Sequence, residues 1–325
     1  MNLFKEEEIR KFVAVNSTAI EIVEEGFTAL ANGNVTLPPI MRIDIPENNG
    51  EIDVKTAYIK GLDTFAIKIS SGFFNNPSLG LPSLSGMMML FNTTTGITES
   101  ILLDNGYLTD VRTAAAGAVA AKYLAKEKVK YVGVIGTGTQ ARYQIEALSK
   151  VRDFETIYVY GRNEEAAKRY AVEMEGKLGK KVIIAKSVEQ VVKESEIVIT
   201  TTPSTTPLLK AEWLHPGLHI TAMGSDAEHK QELDAKIFEQ VDLIVCDVKS
   251  QVFRLGELHH AIEQNIIGND SPILELGEIT SGLKIGRTNN QQITVCDLTG
   301  TGVQDTVIAR FAYDQLMTEN KEFQL

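Results

Sequence analysis

Cysteine is scarce: Cys246 and Cys296 are the two in a chain of 325 residues. They lie in the apolar stretches LIVC and ITVC, without the paired spacing of a metal site or a redox dithiol. Buried free thiols in a reducing compartment are expected, which argues against a disulfide-built secreted fold. Positive charge is also short, since 32 Lys and Arg against 43 Asp and Glu leave a formal charge of -11. No basic cluster offsets it, so phosphate backbones and anionic lipid are repelled and neither nucleic acid nor membrane is an expected partner. No apolar run approaches the roughly 18 residues of a spanning helix. Met1 to Phe12 carry Lys5, Glu6, Glu7, Glu8, Arg10 and Lys11 in place of a secretory signal, so a cytoplasmic location is expected. Internal repeats and low-complexity segments are absent.

What is present is an ordinary globular composition, 43% hydrophobic and 23% charged, in a chain long enough for two domains. Residues 1–125 read as helix, then strands, then helix. Arg42 to Ile45 and Ile52 to Lys55 alternate apolar and polar residues around Asn49-Gly50, a hairpin pattern. Phe65 to Ile69 and Met87 to Phe91 read as further strands, with Met87-Met88-Met89 as core packing. Arg112 opens an Ala- and Gly-rich helix whose small side chains permit close packing. From Lys130 short buried strands alternate with helices, as in a doubly wound parallel sheet. The strands fall at Tyr131 to Ile135, Thr156 to Tyr160, Val182 to Ala185, Ile197 to Thr201, His219 to Ala222 and Leu243 to Cys246. Helices fill the intervals, and a final helix, Val303 to Met317, returns to the first domain. The expected fold is therefore α/β, a Rossmann-type doubly wound domain at 126–302 plus an α+β domain formed by 1–125 and 303–325.

The strand Tyr131 to Ile135 runs into Gly136-Thr137-Gly138-Thr139-Gln140-Ala141, the G-x-G-x-x-A form of the dinucleotide fingerprint. The first glycine turns the chain, the second lets backbone approach a pyrophosphate, and Ala141 lets the helix sit close to the strand. Phosphate charge then rests at the helix N-terminus. The second strand ends Tyr160-Gly161-Arg162-Asn163, without the carboxylate that usually receives the adenosine ribose hydroxyls. Arg162 is suited to a 2′-phosphate, so NADP(H) stands beside NAD(H); a solvated arginine is the plain alternative.

Other features attract no role. His259-His260 is the one histidine pair, and adjacent helical residues do not share a face, so no metal is expected. Ser83 and Ser85 lack the glycine elbow of a nucleophile.

Lys68 inside a strand, Arg42 after Pro38-Pro39 and Arg112 at a helix start are cations placed where a solvent-facing charge is awkward. With them, Pro38 to Arg42, Ala66 to Lys68, Arg112 to Ala116, Gly136 to Ala141, and Met223-Gly224-Ser225-Asp226 with Lys230 and Glu232-Leu233 make the chain resemble the ornithine cyclodeaminase and μ-crystallin family over nearly its whole length. Asp53 to Ala57 and His219 to Lys230 are similar to cyclodeaminase-like members associated with ectoine utilisation.

The resemblance implies that Arg42, Lys68 and Arg112 clamp a substrate carboxylate, with arginine gripping it bidentately and Lys68 polarising a developing imine. It implies Asp226 as acid/base, for which a helix cap is the plain alternative. Asp53 takes the place of a glutamate that holds a distal amine and is one methylene shorter, which weighs against ornithine itself. Ser83 replaces a cofactor-contacting threonine. Thr201, Thr202, Met223, Gly224, Lys230 and Arg112 are implied as further cofactor contacts. A small amino or imino acid substrate and a homodimer built from the first domain and last helix are implied too.

The expected reaction takes hydride from the α-carbon of a diamino acid, closes the ring with loss of ammonia and returns the hydride. The rivals are an NAD(P)H-dependent amino-acid dehydrogenase or cyclic ketimine reductase, and a crystallin-like cofactor-dependent binding protein. All require Arg42, Lys68, Arg112 and Asp226 to converge beside the nicotinamide.

Overall fold

The computed structural model describes residues 1–268 and 270–322. It divides into two compact units, Met1–Arg112 with the stretch from Thr301, and Thr113–Gly300. The first unit opens on a strand, β1 (Asn2–Lys5), where the sequence suggests a helix. Phe4 anchors that strand in the core, and the acidic run is confined to the first turn of a short helix, α1 (Glu6–Ile9). Helix α2 (Ser17–Ala31) follows, its first turn capped by Asn16, whose side chain accepts from the Ala19 amide at 2.9 Å.

Then come β2 (Val35–Thr36), β3 (Met41–Ile45), β4 (Gly50–Ile59), β5 (Thr64–Phe73), β6 (Leu84–Asn92) and β7 (Thr98–Leu103). They form one sheet in the order β1-β7-β6-β5-β4-β2, with β3 also on β4, antiparallel throughout except for β1 beside β7. The β3–β4 hairpin lies where the sequence places it, with Asn49 in the left-handed region at φ 48°. Helix α3 (Tyr107–Leu124) starts five residues before Arg112, a correction to the helix start read from sequence. The cause is Asp104, whose carboxylate accepts from the Leu108 amide at 2.8 Å after Asn105 and Gly106 turn the chain at positive φ.

The second unit holds β8 (Tyr131–Ile135), α4 (Thr139–Val151), β9 (Thr156–Tyr160), α5 (Glu164–Leu178), β10 (Lys181–Ile184), α6 (Val188–Glu194) and β11 (Ile197–Thr200). It continues with β12 (Thr205–Leu209), β13 (His219–Ala222), β14 (Gln231–Leu233), β15 (Leu243–Cys246), α7 (Lys249–Leu255), α8 (Glu257–Glu263), β16 (Ile273–Glu275), α9 (Leu276–Thr280) and β17 (Thr294–Asp297). Eight of these strands make a wholly parallel sheet in the order β10-β9-β8-β11-β13-β17-β15-β16, while β12 pairs with β14 apart from it. This is the doubly wound Rossmann-type architecture expected, and β8 and β11 flank the point where strand order reverses. The sequence strands end within one residue of the observed ones; β14 and β16 have three residues each, and β12 opens on two threonines and Pro207, so none of the three registers in the hydrophobic pattern. Cys246 and Cys296 are buried and free on β15 and β17.

The chain ends in α10 (Gly302–Glu322), which packs on α2, β4 and β5 within the first unit. Gly302 is required there, since a Cβ would lie 2.1 Å from the Thr56 carbonyl oxygen of β4. No helix of the described residues is long and apolar enough to cross a membrane.

Candidate active site

In β4 the usual burial of a two-sided strand is inverted. Glu51, Asp53 and Lys55 face inward, whereas Ile52 and Val54 are half exposed. Strand pairing carries this polar row across the sheet, with Arg42 opposite Asp53 and Lys55 opposite Lys68. Charge buried this way must be paired. Arg42 meets Asp44 at 2.9 Å, Glu51 in a closer hydrogen bond, and Asp53 at 3.6 Å. The Oδ1 atom of Asp53 is buried and accepts no hydrogen bond among the described residues.

Lys68 and Arg112 converge on one carboxylate that sequence reasoning missed. Asp305, in the first turn of α10, lies 3.0 Å from Lys68 Nζ and 2.9 Å from Arg112 Nε, and Gln304 Oε1 accepts from Arg112 Nη1 at 2.9 Å. All are buried. Burial, then the nearby Arg112, pulls the Lys68 ammonium down to about 7, with Asp305 opposing. Burial pushes Asp305 upward, but Arg112 and Lys68 outweigh it and hold the carboxyl below its usual range. Burial likewise lifts Asp104, the cap of α3, to about 6. Two cations thus share one carboxylate, leaving positive charge in excess. Ser83 sits half buried just before β6, its carbonyl accepting from the Phe73 amide at 2.8 Å.

In the second unit a pocket of about 440 Å³ opens at the carboxyl ends of β8, β9 and β11. Gly136, Thr137, Gly138, Arg162, Thr201 and Thr202 line it. Gly136 has φ 120°, and a Cβ there would lie 2.4 Å from Thr201 Oγ1; a Cβ on Gly138 would meet nothing within 4 Å, so the wall is tight at one glycine and open at the other. Gly138 is the N-cap of α4 without a side-chain cap, which leaves first-turn amides available to an anion. Thr139 and Gln140 begin that helix, and Ala141 is buried with its carbonyl accepting from Tyr170 Oη at 3.2 Å. Arg162 is exposed and forms no ion pair among the described residues, and no carboxylate ends β9. These features fit a dinucleotide.

Asp226 follows β13 beyond Met223 and Gly224 and accepts from Lys230 Nζ at 2.7 Å. Its side chain is 37% exposed and that of Lys230 is 7%, so the pair presents its acid outward. His259 and His260 do lean together, with ring centroids 5.2 Å apart and Glu263 near, which corrects the expectation that adjacent histidines diverge. Each ring also contacts a backbone carbonyl, His259 that of Phe253 at 3.3 Å and His260 that of Lys230 at 2.8 Å.

A Rossmann-type unit with a cradle for a dinucleotide and a sheet unit carrying buried surplus cations define a nucleotide-cofactor enzyme of amino-acid chemistry. The chain belongs to the ornithine cyclodeaminase/mu-crystallin family, whose model matches residues 2–320. An uncharacterised cyclodeaminase of Sinorhizobium fredii is 48% identical over 316 residues, 97% of this chain and 96% of that one. The alanine dehydrogenase of Archaeoglobus fulgidus is 34% identical over 320 residues, 98% of this chain and 96% of that one. Among solved structures, the Delta(1)-pyrroline-2-carboxylate reductase of Thermococcus litoralis in complex with NADH and L-proline superposes with a TM-score of 0.94 at 32% identity, covering 98% of each chain.

Proposed function

We propose that the protein is a nicotinamide-dependent cyclodeaminase that converts a small diamino acid to a cyclic imino acid with loss of ammonia. One observation carries this: surplus cations share a sheet face with a buried carboxylate oxygen that accepts no hydrogen bond and has only the longer Arg42 ion pair at 3.6 Å. Asp53 lies diagonally from Lys68 in the β4–β5 ladder, and diagonal neighbours stand about 7–8 Å apart. A diamino acid has its carboxylate and distal ammonium at a comparable reach.

When bound, a nicotinamide ring lends a place for the substrate's α-hydride and gives it back. Arg112 and Lys68 hold the carboxylate, with Arg42 at the edge of the same face. The arriving negative charge favours the charged form of Lys68, which then polarises the C=N bond of the substrate imine. Asp53 takes the distal ammonium. Asp226 accepts the proton released as the α-amine becomes an imine, and returns it to the departing ammonia after the distal amine has attacked the α-carbon.

A second reading, net reduction of an imino acid or oxidation of an amino acid, is supported by relatives named as alanine dehydrogenase and pyrroline-2-carboxylate reductase. Incubation with catalytic NAD and candidate diamino acids separates the two. Ammonia without accumulated NADH supports cyclodeamination. Cofactor turnover equal to product supports the dehydrogenase or reductase, and tight ligand binding with neither points to a binding protein and ends both enzymatic readings.

The cofactor is NAD(H) or NADP(H), in the pocket at Gly136. Gly136→Ala is expected to weaken dinucleotide binding at least about tenfold, or about 1.4 kcal/mol, because a methyl there collides with Thr201. Fluorescence titration with NADH checks it, and an unchanged Kd would place the pyrophosphate elsewhere. Arg162→Ala should cost about tenfold in affinity for NADPH and leave NADH binding unaltered. Equal loss for both would show an adenine contact in place of a phosphate contact.

The homodimer is proposed through the sheet face opposite α10. Met41 and Ile43 are exposed there, and Ile52, Val54, Ile67, Ile69, Met87 and Met89 are half exposed. A contiguous apolar face of this kind calls for a partner surface. Sedimentation would read the dimer directly.

A further inference from the structure

Glu232, at the centre of the short strand β14, is fully buried and forms no ion pair among the described residues. Its carboxylate instead accepts four hydrogen bonds. Oε1 receives the Thr202 amide at 2.6 Å and the Thr202 hydroxyl at 2.7 Å, and Oε2 receives the Thr200 hydroxyl at 2.6 Å and the Gly224 amide at 2.8 Å. These donors belong to two different segments. Thr200 ends β11 and Thr202 lies beyond it in the pocket wall, while Gly224 follows β13 and precedes Asp226 by two residues. The packing is tight, since a Cβ on Gly224 would lie 2.2 Å from the Thr202 carbonyl and 2.5 Å from Glu232 Oε2.

The chemistry of the donor set selects a carboxylate. A hydroxyl can turn, but the amides of Thr202 and Gly224 can only donate, and they point at different oxygens. A glutamine of the same shape must set its NH2 against one of them, whichever way it is turned. A buried amide left unsatisfied is expensive.

We propose that Glu232 is a positioning residue that locks the Thr201–Ser204 wall of the dinucleotide pocket to the Met223–Asp226 segment, so that cofactor affinity depends on its ionised carboxylate. This rests on reading the pocket as a dinucleotide site. Burial pushes Glu232 up to about 7, with the bonds from Thr200, Thr202 and Gly224 opposing. Protonation therefore falls within reach of ordinary buffers. The ionisable groups facing it are Glu257 on α8, which accepts from the Glu232 amide at 2.7 Å, and Asp297 at the end of β17. Burial pushes Glu257 well above its ordinary range and lifts Asp297 to about 8, and the charge of Glu232 adds to the upward push on both. On its own segment the Lys230–Asp226 pair follows β13.

The test is the Kd for NADH, by fluorescence titration between pH 5.5 and 8, for the unmodified protein, Glu232→Gln and Thr200→Val. The unmodified protein should bind more weakly as pH falls through about 7. Glu232→Gln should bind about tenfold more weakly at pH 8 and lose that pH step. Thr200→Val removes one bond that favours the charged form, so its step should move to higher pH. A Glu232→Gln profile that coincides with the unmodified one overturns the proposal. Should that variant fail to fold, Thr200→Val decides: an upward step supports the proposal and an unmoved one overturns it. Failure of the unmodified protein to bind either NADH or NADPH would overturn the pocket assignment, and this inference with it.

Discussion

Asp305→Asn is expected to destabilise the protein by about 3–5 kcal/mol, the usual cost of stripping a buried charge of its partner. The substitution keeps volume and a hydrogen-bonding oxygen, so the loss isolates the charge. Lys68 and Arg112 would remain buried with no carboxylate between them. At roughly 2–4 °C per kcal/mol for chains of this order of size, melting should fall by about 10 °C. The deficit should also depend on pH, and its sign follows from Lys68. Its folded pKa is depressed to about 7 with Asp305 present, and Asp305 is a group that raises it. Without Asp305 the folded value drops further below the unfolded one. Lys68 can then shed its proton below pH 7 and relieve part of the penalty, so the deficit should be larger at pH 5.5 than at pH 8. A melting temperature unchanged at both pH values would show that Asp305 does not carry the cluster.

That carboxylate was not legible in the sequence, for a physical reason. An acid in the first turn of a helix is commonly a surface partner of the helix dipole, and nothing in Gly302-Val303-Gln304-Asp305-Thr306 reveals that the turn faces a buried sheet. Glu232 was hidden likewise, because burial and four convergent donors are properties of loops far apart in the chain. The β3–β4 alternation shows the limit from another side. Period-two patterning identified both strands and their hairpin, but a period does not state which face is inside. Here the polar face is the buried one, and that inversion marks the candidate site. The glycine loop was legible because its chemistry is local: strand, tight turn at Gly136, helix start at Thr139. Lys68 stood out as a charge set among apolar neighbours in Phe65 to Ile69, but that its face is the buried one is shown only by the structure.

Asp226→Asn should act on rate and leave architecture in place. The side chain is partly exposed, and asparagine still offers Lys230 an oxygen, so folding and dinucleotide affinity should change little. Removing a general acid/base typically costs about 10²–10⁴ in kcat, and a loss of that size in ammonia release or imino-acid turnover is expected. The competing role for Asp226 is to anchor Lys230, whose side chain is nearly buried and whose carbonyl accepts from Ser225 Oγ at 2.6 Å. An anchor would lose stability and cofactor affinity together, with kcat preserved in the fraction that binds. A proton-transfer group would instead lose kcat with binding intact, and with it the limb of the pH–rate profile that reports its ionisation. Thermal melting, NADH titration and single-turnover ammonia release on the same preparation separate these cases. Preserved kcat with weakened binding would remove Asp226 from the chemistry and turn attention to Lys68, a buried group near 7 on the cationic face and so able to exchange a proton near neutrality.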